Sequence, residues 1–244
     1  MPPADRQDTF VRRVRHELKL RELTVARVDR LGDGFAAITF TGEALADFVS
    51  LSFDDHVKFM FTAADGAQVR RDYTPRRFDR EARALVIEFA LHGDGKASTW
   101  AREAAPGQRV VVGGPRGSMI LPPDLDWQLL VGDATALPAI ARRLEELPRA
   151  GRVLVRAHAA REDRRAFAGA ADVDVRWFDT AEDLVADVRA LALPDGRGFA
   201  WGGGEAALMA QVRAVLNDKG VPREATRVSA YWKRGVAEHH EHLE

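Results

Sequence analysis

Arg70-Arg71-Asp72-Tyr73-Thr74-Pro75-Arg76-Arg77-Phe78, RRDYTPRRF, sets four arginines around one tyrosine, one threonine and one proline. Four like charges in nine residues repel one another unless solvent or an anion screens them. Guanidinium forks bind phosphate oxygens bidentately, and a tyrosine ring stacks on planar systems. The stretch has the chemistry to hold a planar ring joined to phosphate, and also that of a solvated basic edge strand. Its neighbours decide between the two.

Upstream, LTVARVDRL (23–31) and FAAITFTG (35–42) read as strands joined by the turn Gly32-Asp33-Gly34. Ala44 to Phe48 can form a helical turn, and His56 to Phe61 is a further strand. Ala64-Asp65-Gly66 makes a tight turn into the arginine-rich stretch, itself read as one strand. Leu85 to Leu91 and Arg109 to Val112 follow as strands. Short strands punctuated by glycine predict a closed antiparallel barrel through about residue 121. The charged residues 5–19 read as a short helix.

Past a linker at Pro122-Pro123, strand and helix patterns alternate. Strands are expected at Trp127–Val131, Arg152–Ala157, Val173–Phe178 and Gly198–Trp201. Helices are expected over Ala136–Leu147, after an N-cap at Thr180, and through Leu208, Val212, Val215 and Leu216 to Gly220. This is the pattern of a parallel sheet carrying helices. The expected fold is an all-β antiparallel barrel over residues 18–122, then an α/β parallel-sheet nucleotide-binding domain over 123–244.

Composition narrows the chemistry. The 244 residues are 46% hydrophobic and 30% charged, apolar enough for two cores. A net charge of −1 gives no global field to recruit nucleic acid, so any positive site must be local. The absence of cysteine excludes disulfides, thiolate metal sites, iron–sulfur clusters and thiol nucleophiles. No apolar run reaches membrane-spanning length and the amino-terminal residues lack a signal-peptide core, so no membrane insertion and a cytoplasmic location are expected.

Three glycine-marked junctions can hold ligands. His92-Gly93-Asp94-Gly95-Lys96-Ala97-Ser98 ends a strand and begins a helix, where backbone N–H groups can approach phosphate. Gly132-Asp133-Ala134-Thr135-Ala136 and Trp201-Gly202-Gly203-Gly204-Glu205 sit at strand ends, where open parallel sheets bind ligands. Gly113-Gly114-Pro115-Arg116-Gly117 reads as a surface turn, and His239-His240-Glu241-His242 as a solvated tail rather than a metal site.

Taken in order, these segments resemble the siderophore-interacting proteins, a branch of the ferredoxin–NADP reductase-like flavoenzymes. RDYTPRRFD is similar to the family's flavin segment and HGDGKASTWA to its pyrophosphate segment. GGPRG, VGDATALPAI, AWGGGEA and YWKRG match in order and rough spacing. The resemblance implies FAD, with Arg71, Tyr73, Thr74 and Arg76 on the flavin and its phosphates. It puts His92, Gly95, Ala97 and Ser98 on the pyrophosphate and adenosine side. NADPH or NADH would dock at Asp133, Thr135 and Ala136 and at Gly204 and Glu205, with Trp232 shielding the flavin or packing. Arg161, Arg164 and Arg165 either meet a 2′-phosphate or pair with Glu162 and Asp163. The chain departs from the family pattern at Ala134, where an acid is usual, and at Gly203, where alanine is usual.

The resemblance further implies a ferric siderophore as substrate, an anion met by Lys58, Arg116 and Lys233. Reduction to ferrous iron would release the metal, with no iron ligand from the protein. Two other readings stay open: a flavoprotein reductase exchanging electrons with a ferredoxin-like partner, and a non-catalytic protein that binds flavin or siderophore.

Overall fold

The computed structural model describes residues 10–91, 93, 95–147, 151–169, 172–235 and 241–242. Strand β1 is Arg12–Arg15. The barrel strands are β2 (Leu20–Leu31), β3 (Phe35–Thr41), β4 (Val57–Thr62), β5 (Gln68–Tyr73), β6 (Pro75–Asp79), β7 (Ala84–Ala90) and β8 (Arg109–Gly113), with helix α1 (Lys96–Glu103) before β8. They form one antiparallel sheet in the order β5-β4-β8-β2-β3-β7-β6. Strand β9 (Gly117–Ile120) pairs with β1.

RRDYTPRRF is two strands, not one. β5 and β6 are consecutive in the chain yet lie at opposite edges of the sheet, separated by Thr74 alone. Chain continuity thereby closes the barrel. Pro75, which has no N–H to give a ladder, opens the edge strand β6, a position that suits it. The expected helix over 5–19 is also corrected. Its described part holds β1, because Arg12–Arg15 finds a free edge in β9 and has no apolar stripe to support a helix.

The second half contains β10 (Trp127–Asp133), α2 (Leu137–Glu146), β11 (Arg152–His158), β12 (Val173–Phe178), α3 (Ala181–Ala190), β13 (Gly198–Glu205), α4 (Ala206–Asp218), β14 (Thr226–Trp232) and β15 (Glu241–His242). The sheet order is β12-β11-β10-β13-β14-β15, parallel except for β15. Thr180 caps α3, its side chain accepting from the Asp183 N–H. β14 was not anticipated, and within the expected tail Glu241 and His242 form the short strand β15 beside it. His239 and His240 lie outside the described residues.

The pleat sorts the strand side chains into two layers. Leu130, Val153, Val155, Phe199 and Trp201 face α2 and share one core with Phe35, Phe53, Met119 and Leu121 of the barrel half. Their neighbours Leu129, Val131, Leu154 and Ala200 face α3 and α4. One apolar core therefore joins barrel and parallel sheet. Polar contacts reinforce it: Trp201 Nε1 donates to Asp54 Oδ1 at 2.7 Å, and the buried Arg142 guanidinium donates to Ser50 and to the Pro75 carbonyl.

Candidate flavin and nucleotide site

The sheet order reverses between β10 and β13, which opens a crevice at their carboxyl ends. A cavity of about 300 Å³ lies where this crevice meets the barrel. β5 and the crossing supply Arg71, Asp72, Tyr73 and Thr74; α1 supplies Ser98; the parallel sheet supplies Thr135, Tyr231 and Trp232. Its volume is at the lower end of the range for small-molecule sites, about 300–1,000 Å³.

Tyr73 is held from behind by Phe89 and Phe59, with ring centroids 4.4 and 5.8 Å away. Its hydroxyl makes no hydrogen bond to a described residue, and burial pushes its pKa well up, against the pull of Arg71. Helix α1 follows Gly95, an N-cap with no side chain to offer, and a helix N-terminus favours an anion. A methyl group at Gly93 or Gly95 would meet nothing within 4 Å. An aromatic hydroxyl with no hydrogen bond among the described residues, an arginine on the same strand and a glycine-led helix N-terminus beside the cavity fit a planar ring joined to phosphate. FAD is such a molecule. Ala97 is buried in this helix, and His92 lies outside the described residues.

Arg76 is not on the cavity wall. It occupies a bulge in β6, and its guanidinium pairs with Glu88 at 3.1 Å and Glu145 at 2.5 Å. Burial lowers its pKa, but the two carboxylates outweigh that and the net shift is upward. Glu88 lines the cavity and also accepts from Arg165 at 2.6 Å. Arg164 pairs with Asp179, and Arg161 lies 3.8 Å from it. The partners of these arginines are thus Asp179 and Glu88, not Glu162 and Asp163.

Asp133 is spent within the protein. One carboxylate oxygen accepts from the Thr135 N–H and hydroxyl at 2.8 and 2.5 Å; the other accepts from the Glu205 N–H at 2.7 Å and Trp232 Nε1 at 2.8 Å. Gly204 has φ +152°, and a methyl there would lie 2.7 Å from the same carboxylate. Glu205 caps α4 through the N–H groups of Ala207 and Leu208. Ala136 is buried at the start of α2. Of the strand-end residues named from sequence, Thr135 and Trp232 reach the cavity wall.

Lys58 stands opposite Asp72 across β4 and β5 and pairs with it at 2.8 Å. Arg116 and Lys233 are exposed, and Lys233 directly follows the cavity residue Trp232. Sequence reasoning missed His56, Glu88 and Tyr231 on the cavity wall. Glu88 alone carried a signal, as the single charge in ALVIEFA.

A closed antiparallel barrel sharing a cavity with a five-stranded parallel sheet defines a ferredoxin-reductase-like flavoprotein. Residues 125–235 match the family model of the siderophore-interacting protein. Residues 24–70 and 63–119 match the siderophore-interacting FAD-binding domain. The NADPH-dependent ferric-chelate reductase of Escherichia coli K12 is 35% identical over 91% of this chain and 96% of its own. The ferric vibriobactin reductase ViuB of Vibrio cholerae is 27% identical over 92% and 93%. The crystal structure of a siderophore utilization protein from T. fusca superposes with TM-score 0.87 at 33% identity, covering 93% of this chain and 97% of that one. The chain belongs to the siderophore-interacting protein family.

Proposed function

We propose that this protein is a flavin-dependent reductase of ferric siderophores, passing electrons from NADPH or NADH through FAD to chelated Fe(III) and releasing Fe(II). The observation that carries this reading is the shared cavity, with Arg71, Tyr73 and Thr74 on one side and Thr135 and Trp232 on the other. FAD, when bound, supplies a two-electron acceptor for nicotinamide that can hand on electrons singly.

The residues divide the work. Arg71, Gly95, Ala97, Ser98 and His92 would hold phosphate, with the N-terminus of α1 as the main donor set. Tyr73, Thr74 and Trp232 enclose the ring. Asp133, Ala136, Gly204 and Glu205 shape the nucleotide crevice through backbone and caps, and Thr135 faces the incoming nicotinamide nucleotide. Arg76 acts one step back, fixing α2 and Glu88 beside the cavity. Lys58, Arg116 and Lys233 attract the anionic chelate by charge more than shape. Ferrous iron binds hard oxygen donors more weakly than ferric, so electron delivery alone frees the metal. The proposal places the protein in the cytoplasm, where reduced nicotinamide is available.

The test is an absorbance spectrum of the purified protein during anaerobic titration with NADPH, then NADH, then a ferric catecholate. Flavin absorbance should bleach with the nicotinamide and return with the chelate. Absence of flavin under every loading condition would sink the reading. Bleaching by reduced ferredoxin alone would replace the nicotinamide with a protein donor.

A further inference from the structure

Leu18 and Leu20 are 54% and 70% exposed, although most large apolar side chains of the chain are buried. Single exposed leucines are ordinary, but contiguous ones beside a binding site carry information. Here the chain from His16 to Leu20 runs alongside Gly113 to Arg116. The His16 N–H donates to the Arg116 carbonyl at 2.9 Å and the Gly114 N–H to the Lys19 carbonyl at 3.1 Å.

Gly113 lies opposite Leu20 on one side and Lys58 on the other. A methyl group on Gly113 would sit 3.0 Å from Leu20 Cδ2, 3.4 Å from Met60 Cε and 3.7 Å from Lys58 Cβ, so these side chains converge over the glycine. At Gly114 the same construction meets the Arg116 N at 3.2 Å, the His56 carbonyl at 3.8 Å and Leu18 Cδ1 at 4.0 Å. Leu18, Leu20 and Met60 thus form an apolar ledge between Lys58 and Arg116. The ledge adjoins the cavity mouth, because His56 and the Lys58 partner Asp72 both line the cavity. Arg116, two residues past Gly114, is exposed and makes no ion pair among the described residues, so its charge is not spent within them.

We propose that this ledge is a substrate subsite for the apolar arm, alkyl or aryl, of an anionic ferric chelate whose iron-binding head lies at the cavity mouth. The inference rests on the reductase reading and names the substrate class it favours. A cation next to exposed leucines matches a ligand that is anionic at one end and apolar at the other.

The test compares two ferric chelates with the same head group, one bearing an alkyl arm, on the FAD-loaded protein with NADPH. In the Leu18→Ser/Leu20→Ser double variant, KM for the alkylated chelate should rise about tenfold. KM for the bare chelate and the rate of flavin bleaching should stay within about twofold. Equal changes for both chelates, or none, would overturn the subsite. Leu20→Ala, a milder truncation, should raise KM for the alkylated chelate alone if the double variant folds poorly. A dimer in the parent that becomes monomeric in the variant would give the ledge to a second copy and overturn the proposal. If no ferric chelate reoxidises the bleached flavin, the reductase reading fails. Binding of the alkylated chelate to the oxidised protein, followed by tryptophan fluorescence, then tests the ledge separately: a tenfold weaker Kd in the variant supports it, and an unchanged Kd overturns it.

Discussion

Asp133 shows how a residue of the right type in the right place can be employed differently from its first assignment. Its four hydrogen bonds tie the ends of β10, β13 and β14 together and fix Trp232 at the cavity. Gly204 must stay small and left-handed for that arrangement to form. Gly204→Ala should cost about 1–3 kcal/mol of stability, read as a lower thermal midpoint. Asp55 makes the opposite compromise. Burial pushes its carboxyl above 3.8, while hydrogen bonds from Ser118 and Ser50 and the charge of Arg142 pull back. The folded state thus holds this proton more tightly than the unfolded chain. Stability from this group is gained as pH falls through the raised value and lost as pH rises through it. Wild type should therefore gain thermal midpoint relative to Asp55→Asn as pH is lowered from 7 toward 3.8; a constant difference would remove Asp55 from the pH response.

At the level of elements, the break at Thr74 gives RRDYTPRRF two jobs. β5 carries Arg71 and Tyr73 to the cavity, and β6 carries Arg76 to Glu88 and Glu145. If Arg71 holds flavin phosphate as proposed, Arg71→Ala should lower FAD affinity by about tenfold, measured as flavin retained on dialysis; unchanged retention would contradict that role. Lys58, on β4 beyond Asp72 and 47% exposed, should behave differently. Lys58→Ala should leave flavin content unchanged and raise KM for a ferric catecholate severalfold at low salt, the effect fading as ionic strength rises. Loss of flavin in that variant would make the lysine structural.

For the whole molecule, the decisive fact is the core shared by the barrel and α2. Domains joined by one apolar core and by buried arginines should unfold together, so calorimetry should show one transition. Arg142 is central to that joint, donating to Ser50, to the Pro75 carbonyl and to Glu146 while lying 6% exposed. Arg142→Met should lower stability by about 2–3 kcal/mol, because it strands buried acceptors on both sides of the interface. Two separated transitions in the parent protein would contradict the shared core.

The barrel and the parallel sheet were legible along the chain because both follow local rules: short strands with glycine turns, then strand–helix alternation with caps such as Thr180. Arg71, Tyr73, Thr74, Ser98, Thr135 and Trp232, named from motifs far apart in the chain, line one cavity because both halves of the chain contribute to its wall. What escaped was set by residues distant in sequence. β1 and β14 take their identity from partner strands, and Thr226–Trp232 carries too little alternation to declare itself. The fates of Arg76 and Arg165 depend on Glu145 and Glu88, which nothing local places beside them. Local pattern determines which elements form and which ligand chemistry they carry. Which charges remain for a ligand is decided only when folding brings carboxylates, or none, within hydrogen-bond reach of each cation.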